Sequence, residues 1–222
     1  MVRERWAEVP LEAFVSLQRG YDLPDKRRTE GTVPILGSFG ITGYHNVARV
    51  KGPGLTVGRS GGSFGVVVFS AKDFWPLNTT LFVTDFHGND VRFAYYFLKS
   101  IDFKRYDSGS AQPSLNRNYI RSIRLKVPPL SEQRAIGGIL GALDDKIELN
   151  RRMNETLEAM ARAIFESWFV DFDPVRGKAE GRQLCRMSAE TAALFPDSFQ
   201  DSPLGKIPSG WGMVRSCPVQ NF

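Results

Sequence analysis

The sequence predicts an α+β protein in which a β-rich domain is followed by one long coiled-coil helix. Short runs of β-branched and aromatic residues, broken by glycine and proline, fill residues 1–130, and a heptad pattern of apolar residues begins at residue 131. The last part of the 222-residue chain is again polar and contains glycine. We therefore expect a first domain at 1–130, a spacer helix at 131–170, and a linker with the truncated start of a second domain at 171–222.

Strands are the clearest elements of the first domain, because turn signals such as Gly61-Gly62 separate its apolar runs. The runs at 33–36, 55–57, 66–69 and 80–83 predict four of them. One helix is expected over 91–101, where Phe93, Phe97 and Leu98 follow helical spacing and Asp90 precedes as an N-cap.

The long helix is predicted to begin at Ser131, since Pro128 and Pro129 stop the preceding strand and a serine hydroxyl caps a helix N-terminus. Apolar residues then recur at alternating spacings of four and three, which is typical of a coiled coil. A helix over 131–169 would be about 58 Å long, so it needs a partner helix. The predicted seam consists of Ile136, Leu140, Leu143, Ile147, Asn150, Asn154, Leu157, Ala161, Ile164 and Trp168.

Polar and small residues in this helix leave alternatives open. Asn150 and Asn154 would cost stability in the seam but would fix the register of one specific partner. Gly137, Gly138 and Gly141 each lower helix stability by about 1 kcal/mol relative to alanine, so either another backbone approaches there or this end is weakly helical. The competing interpretation is a core helix inside one compact domain.

The charge is concentrated in the first domain. The whole chain carries +5, whereas residues 1–130 carry 18 Lys and Arg against 11 Asp and Glu. This surplus predicts an acidic partner, nucleic acid rather than a membrane surface, although it is moderate enough to be incidental. Two cysteines give no disulfide framework, and the first residues lack an apolar signal core, so we expect a cytoplasmic protein.

Catalytic motifs are not found in the sequence. The glycine-rich stretch at 58–65 lacks the ending of a phosphate-binding loop, and His45 and His87 stand far apart without metal-ligand neighbours. A nucleophile elbow, an Asn-Pro-Pro methylation motif and a cofactor loop are also missing from the sequence. The prediction is a non-catalytic chain without its own metal or cofactor.

Two loops carry residue types suited to DNA. Lys26, Arg27 and Arg28 form a cation cluster that could neutralise phosphates, or could be only a solvated charge run. The loop at 108–118 offers hydroxyls, amides and a guanidinium that can bind base edges, or that could close turns and cap a helix. Its candidate residues are Ser110, Gln112, Ser114, Asn116 and Arg117.

Several motifs resemble the specificity subunit of type I restriction-modification systems. They are Pro128-Pro129-Leu130-Ser131-Glu132-Gln133-Arg134-Ala135-Ile136, Leu143-Asp144-Asp145-Lys146-Ile147-Glu148-Leu149-Asn150 and Ser167-Trp168-Phe169-Val170-Asp171-Phe172. The resemblance extends upstream to Gly109-Ser110-Ala111-Gln112-Pro113-Ser114-Leu115-Asn116 and to Gly58-Arg59-Ser60-Gly61, and so adds Arg59 and Ser60 to the DNA-binding candidates.

The resemblance implies a DNA target-recognition domain and a spacer helix. Such subunits usually have two recognition domains and two antiparallel helices, which set the distance between two half-sites and dock methyltransferase subunits. This chain has one domain, one helix and the opening of a second domain at 207–214, so we expect a half-length subunit that forms a homodimer. S-adenosylmethionine is expected in the partner methyltransferase, and cleavage in a nuclease-translocase restriction subunit.

Two other functions compete with this one. The chain could be a protein-interaction module that does not bind DNA and docks through its long helix, or it could be a self-sufficient methyltransferase. Retention on DNA would argue against the first, and the second requires the isolated chain to bind the methyl donor.

Overall fold

The computed structural model describes residues 6–107, 114–182, 184, 187–203 and 205–212. The α+β prediction is confirmed. The strands are β1 (Ala7–Pro10), β2 (Ser16–Arg19), β3 (Val33–Gly37), β4 (Gly40–His45), β5 (Gly54–Gly58), β6 (Val67–Ser70), β7 (Trp75–Pro76), β8 (Thr80–Asp85), β9 (Arg124–Val127), β10 (Phe199–Ser202) and β11 (Gly205–Pro208). The helices are α1 (Leu11–Phe14), α2 (Val91–Lys99), α3 (Arg117–Ile120), α4 (Leu130–Phe165), α5 (Asp173–Ala179) and α6 (Ala189–Ala193).

A four-stranded antiparallel sheet in the order β2-β8-β5-β6 is the centre of the first domain. Every residue of β5 is buried, as its continuous apolar run predicts for an inner strand. A second sheet holds the β3–β4 hairpin with β7 alongside β3, and β1 pairs with β9. All four predicted strands are present within these sheets.

Helix α2 covers the main sheet with aromatic side chains. Phe93 is buried, and Phe97 lies with its ring centroid 5.3 Å from that of the buried Phe14. The predicted cap is confirmed, because a side-chain oxygen of Asp90 accepts a 2.8 Å hydrogen bond from the backbone N–H of Phe93. The helix ends at Lys99, two residues before the predicted end.

Helix α4 begins at Leu130, one residue before the predicted start, and runs for 36 residues, or about 54 Å. The regular helix does not continue to residue 169 as predicted. A π-helical turn at Glu166–Val170 follows it, and Phe172 has a left-handed backbone (φ 56°) before α5. The wider turn accompanies the packing of both Trp168 and Phe169 against Phe195, at ring centroid distances of 5.6 and 6.1 Å.

The chain forms two compact units, Met1–Lys146 and Ile147–Phe222. The first includes the opening turns of α4, because these pack on α2. The second holds the rest of α4, α5, α6 and the β10–β11 hairpin, with a small aromatic core in which Phe169 stacks on Trp211 at 6.1 Å. Of the predicted second-domain opening at 207–214, Ile207 and Pro208 lie on β11 and residues 213 and 214 lie outside the described residues.

Candidate nucleic-acid interface

Two loops of the first unit meet beside the four-stranded sheet. A β-bridge joins Ser60 to Ser114, and the backbone N–H of Leu115 donates a 2.7 Å hydrogen bond to the carbonyl of Arg59. The backbone N–H of Arg59 donates in turn to Thr79 at 2.9 Å. Candidates that lie far apart in the sequence are thus neighbours in space, namely Arg59, Ser60, Ser114, Asn116 and Arg117.

An open cleft of about 670 Å³ lies at this junction. Its polar lining consists of Gln18, Arg19, Tyr21, Arg59, Asn116 and Arg117. Guanidinium groups bind phosphates and guanine, and amide groups bind adenine, so this set can contact both backbone and bases. Three of these residues were predicted from the sequence.

A row of arginines continues from the cleft. Arg117 also borders a smaller hollow of about 240 Å³, which Arg121 lines together with Glu12. Within the described part of the chain, Arg59, Arg117 and Arg121 form no ion pair. The exposed Arg19 approaches Asp22 at 3.6 Å, an ion pair of little strength in water. The row therefore presents positive charge that a polyanion can neutralise.

Sequence reasoning missed Gln18, Arg19, Tyr21 and Arg121. Gln18 and Arg19 are two consecutive exposed residues at the end of β2, where an alternating pattern would bury one of them. The signal in the sequence was only that two polar residues, Gln18 and Arg19, stand side by side. Arg121 follows α3 and joins the site only because of the tertiary fold.

The predicted recognition loop at 108–118 is only partly described. Ser110 and Gln112 lie outside the described residues. Asn116 caps α3, since its Oδ1 accepts a 3.0 Å hydrogen bond from the backbone N–H of Asn118. This bond uses only the oxygen, so the amide NH2 group can still donate to a base while the oxygen holds the helix start. Both roles considered from the sequence, capping and base recognition, are compatible with this geometry.

The cation cluster Lys26, Arg27 and Arg28 is not part of the cleft. Lys26 and Arg27 are exposed on a short 3-10 turn, whereas Arg28 is half-buried and pairs with Asp25 at 3.0 Å. Arg28 borders a separate hollow with Asp22 and Asn78. Within the cluster, the charges of Lys26 and Arg27 are therefore more accessible to a phosphate than that of Arg28.

Ser16, His87 and Asp85 superficially resemble a catalytic triad. The hydroxyl of Ser16 lies 2.8 Å from Nε2 of His87, but Nδ1 of His87 lies 3.6 Å from Asp85, beyond hydrogen-bond distance. Asp85 instead accepts a 2.7 Å hydrogen bond from the backbone N–H of His87, whose φ is 48°. These contacts fix a turn after β8 and lack the oriented base that an activated serine needs.

Structural roles also account for the other histidine. His45 is buried, its Nδ1 accepts from the backbone N–H of Thr29 at 3.0 Å, and its ring packs against Trp75. No group of acidic, histidine or cysteine side chains able to hold a metal occurs in the described ranges. The helices described there also include none long and apolar enough to cross a membrane.

The opening of α4 is fixed to the first domain by a buried glutamine. Gln133 is 3% exposed, and its amide group donates to Oδ1 of Asn89 at 2.7 Å and to the carbonyl of Pro128 at 2.9 Å. Its Oε1 accepts from the backbone N–H of Asp90 at 3.0 Å. Because all its polar atoms are bonded, these hydrogen bonds offset the cost of burying the amide, and Gln133 holds the start of α4 against the N-terminus of α2.

The helix glycines resolve one alternative left open by the sequence. A Cβ added to Gly137 would lie 2.8 Å from the backbone nitrogen of Phe93, and one added to Gly141 would clash with Arg92. At Gly137 another backbone does approach, and it is α2 of the same domain, whereas Gly141 meets only the side chain of Arg92. Both glycines therefore pack within the first domain itself. Gly138 meets no atom within 4 Å and stays open.

The predicted seam is exposed over most of α4. Ile136 packs against the main core and Leu140 is half-buried, whereas Leu143, Ile147, Leu157 and Ile164 are 45–65% exposed. Asn150 and Asn154 are exposed, and Trp168 is half-buried in the aromatic core. The apolar face is widened by the exposed Ile139, Met153 and Met160.

Comparison with known proteins identifies the family. The sequence profile of the type I restriction modification DNA specificity domain matches residues 3–159. The specificity subunit of the type I restriction enzyme HindI from Haemophilus influenzae is 36% identical over 144 residues, which cover 61% of this chain and 31% of that protein. The MjaIX specificity subunit from Methanocaldococcus jannaschii is 31% identical over 127 residues, which cover 55% and 26%.

Solved structures show the same fold. The S subunit of a type I restriction-modification system from M. genitalium superposes with a TM-score of 0.65 at 18% identity, covering 79% of this chain and 48% of that one. The chain thus spans about a third or less of the curated relatives and about half of this solved structure. Since the family profile covers most of the chain, the protein belongs to the type I restriction-modification DNA specificity family.

Proposed function

We propose that the chain is a non-catalytic DNA-specificity subunit, in which the domain at 1–130 recognises one half-site. The observation that carries the proposal is the cleft where Arg59, Asn116 and Arg117 meet Gln18 and Arg19. Arginines would hold phosphates and guanine while amides select among bases. The exposed Lys26 and Arg27 would add backbone contacts beside it.

The helix at 131–170 would be a spacer and a dimerisation element. Its exposed apolar face favours burial against a second copy, and two antiparallel helices would present two inverted half-sites. The segment at 171–222 would be a linker and the start of a second recognition domain. A helix that docks a partner without DNA binding is the competing proposal, and the same exposed face would serve it.

The chain would direct a methyltransferase that holds S-adenosylmethionine, and a restriction subunit, to the target in the cytoplasm. The methyltransferase would dock on the open Gly138 and on Trp168 and Phe169, which lie near the far end of the helix. Because a leucine side chain would obstruct that docking contact, Gly138→Leu should block methylation by the assembled complex and leave DNA binding by the chain intact. If Gly138→Leu left association with the methyltransferase unchanged, Gly138 would be excluded from the docking contact.

The test of the DNA proposal is selection of duplexes from a random-sequence pool by the full chain. We expect enrichment of an inverted repeat, and methylation of adenines within it when the chain is co-expressed with its methyltransferase. Retention that shows no sequence preference and no dependence on salt would contradict the proposal. Methyl transfer by the purified chain alone would contradict its non-catalytic role.

A further inference from the structure

The β3–β4 turn presents an exposed aromatic ring on a fixed support. Phe39 is 76% exposed at the tip of the hairpin, and Ile41 beside it is 58% exposed. The preceding Ser38 is buried, and its hydroxyl donates a 2.8 Å hydrogen bond to the carbonyl of Thr79. Gly40 follows with a φ of 127°, which a side chain would disfavour. The ring is therefore held away from the core by its own turn.

This tip adjoins the loop that carries Arg59. The carbonyl of Thr79 accepts both the hydroxyl of Ser38 and the backbone N–H of Arg59, at 2.8 and 2.9 Å. A Cβ added to Gly62 would lie 3.8 Å from Cζ of Phe39, so the ring rests on the same loop. One carbonyl thus ties the exposed phenylalanine to an arginine of the proposed DNA cleft.

The surrounding segment contains no acidic residue. Between Glu30 and Asp73 the sequence has no carboxylate, and its charged residues are Arg49, Lys51, Arg59 and Lys72. A DNA backbone would meet no repulsion from this segment. Acidic side chains lie on the other side of the tip, where Asp144 and Asp145 line the groove that Phe39 borders. The side of the tip that adjoins Arg59 is therefore the one suited to a DNA backbone.

We propose that Phe39 inserts between two base pairs of the bound duplex. This proposal rests on the proposed DNA-binding function and names one way in which the target is recognised. Apolar side chains that enter the minor groove partly unstack a base step and kink the duplex. The arginines of the cleft would hold the phosphates beside the kink, and Ile41 would cover its edge.

Insertion would select sequence without a hydrogen bond to a base. Pyrimidine–purine steps unstack at the lowest cost, so one position of each half-site should favour TA or CA. The salt dependence of binding reports how many phosphates the protein neutralises, and an inserted ring neutralises none. Loss of the ring should therefore lower affinity for the target without changing the salt dependence of that affinity.

The experiment places 2-aminopurine at each position in turn of the duplex that the full chain enriches. Fluorescence should rise at one step with the unmodified chain and stay low with Phe39→Ala. Phe39→Ala should weaken binding about tenfold, which corresponds to about 1.4 kcal/mol. Phe39→Leu, which keeps an apolar wedge, should retain most of both signals. Leu194→Ala is the control, since Leu194 is 78% exposed in the second unit.

Each outcome separates the two proposals. A chain that binds its enriched duplex without a fluorescence rise at any position would overturn insertion and leave the proposed function standing. Phe39 also borders a groove that Val66 and Tyr95 line, where a protein segment could lie. If Phe39→Ala abolished methyltransferase association but left DNA affinity and fluorescence unchanged, the ring would belong to a protein contact and insertion would be wrong. Failure to retain any duplex would overturn both proposals.

Discussion

The hydroxyl of Tyr96 on α2 donates a 2.8 Å hydrogen bond to Oδ2 of Asp144 on α4. One residue further along α4, Asp145 pairs with Arg92 at 3.1 Å. Together with Gln133, these contacts attach the opening turns of α4 to α2 along one side. The opening turns of α4 therefore belong to the first compact unit, Met1–Lys146.

The first prediction concerns alkaline pH. Burial of its phenol and its hydrogen bond to Asp144 raise the pKa of Tyr96 to about 12. Because the folded state holds this proton more tightly than the unfolded chain, the stabilisation is complete below pH 10 and is lost as pH rises from about 10 to about 12. The free energy of unfolding in urea should fall more steeply there for the unmodified protein than for Tyr96→Phe. Equal slopes would contradict the effect, and Asp144→Asn should give an intermediate slope.

The second prediction compares adjacent helix glycines. Gly138→Ala should stabilise the protein by about 0.5–1 kcal/mol, because the new methyl group meets open space and alanine favours the helix. Gly137→Ala should destabilise it by about 1–3 kcal/mol, because the methyl group would press against the backbone of α2. Thermal and urea unfolding measure both changes. A stabilising Gly137→Ala would show that α2 does not pack there.

Four strands of the first domain, β3, β5, β6 and β8, could be predicted from the sequence because each is a local apolar run between turn residues. The cap at Asp90 could be predicted because it depends only on residues next to it in the sequence. The glycines show the limit of such reasoning. Their pattern indicated a close approach, but the approaching backbone, at Phe93, lies more than forty residues away in the sequence. The site shows the same limit, since Arg19 and Arg59 become neighbours only when the sheet forms.

The third prediction concerns phosphate contacts. Removing Arg59 and Arg117 together should flatten the slope of log affinity against log salt by about two units, since each phosphate contact contributes about 0.9. Lys26→Ala and Arg27→Ala should each flatten it by about one unit if the cation cluster also touches the backbone, and Arg28→Ala by less, because Arg28 already pairs with Asp25. Arg151→Ala is the control, as this exposed residue pairs with Glu155 on α4. Unchanged slopes for the cleft arginines would exclude them from the interface.

The fourth prediction separates the two roles of Asn116. Asn116→Ala should remove the cap of α3, cost about 1 kcal/mol of stability and change the enriched sequence. Asn116→Asp keeps a capping oxygen but loses the amide donors, so it should preserve stability and still change the preferred base. Unfolding measurements and a repeated duplex selection distinguish these effects. An unchanged sequence preference in both variants would leave Asn116 with the capping role alone.

The last prediction concerns pairing of two chains through α4. Leu143 and Leu157 are 55% and 57% exposed along the predicted seam, and a second helix would bury both. A glutamate at either position would place an unpaired charge in an apolar contact, so Leu143→Glu and Leu157→Glu should each dissociate the pair. Glu148→Gln is a control for lost charge on the same helix, because Glu148 pairs with Arg152 on its exposed surface.

Sedimentation of the full chain measures its oligomeric state directly, and the unmodified protein should show a concentration-dependent dimer. A monomer at all concentrations, alone and with the proposed methyltransferase partner, would contradict the pairing. The exposed face of α4 would then belong to a different partner, and a single copy would recognise only one half-site.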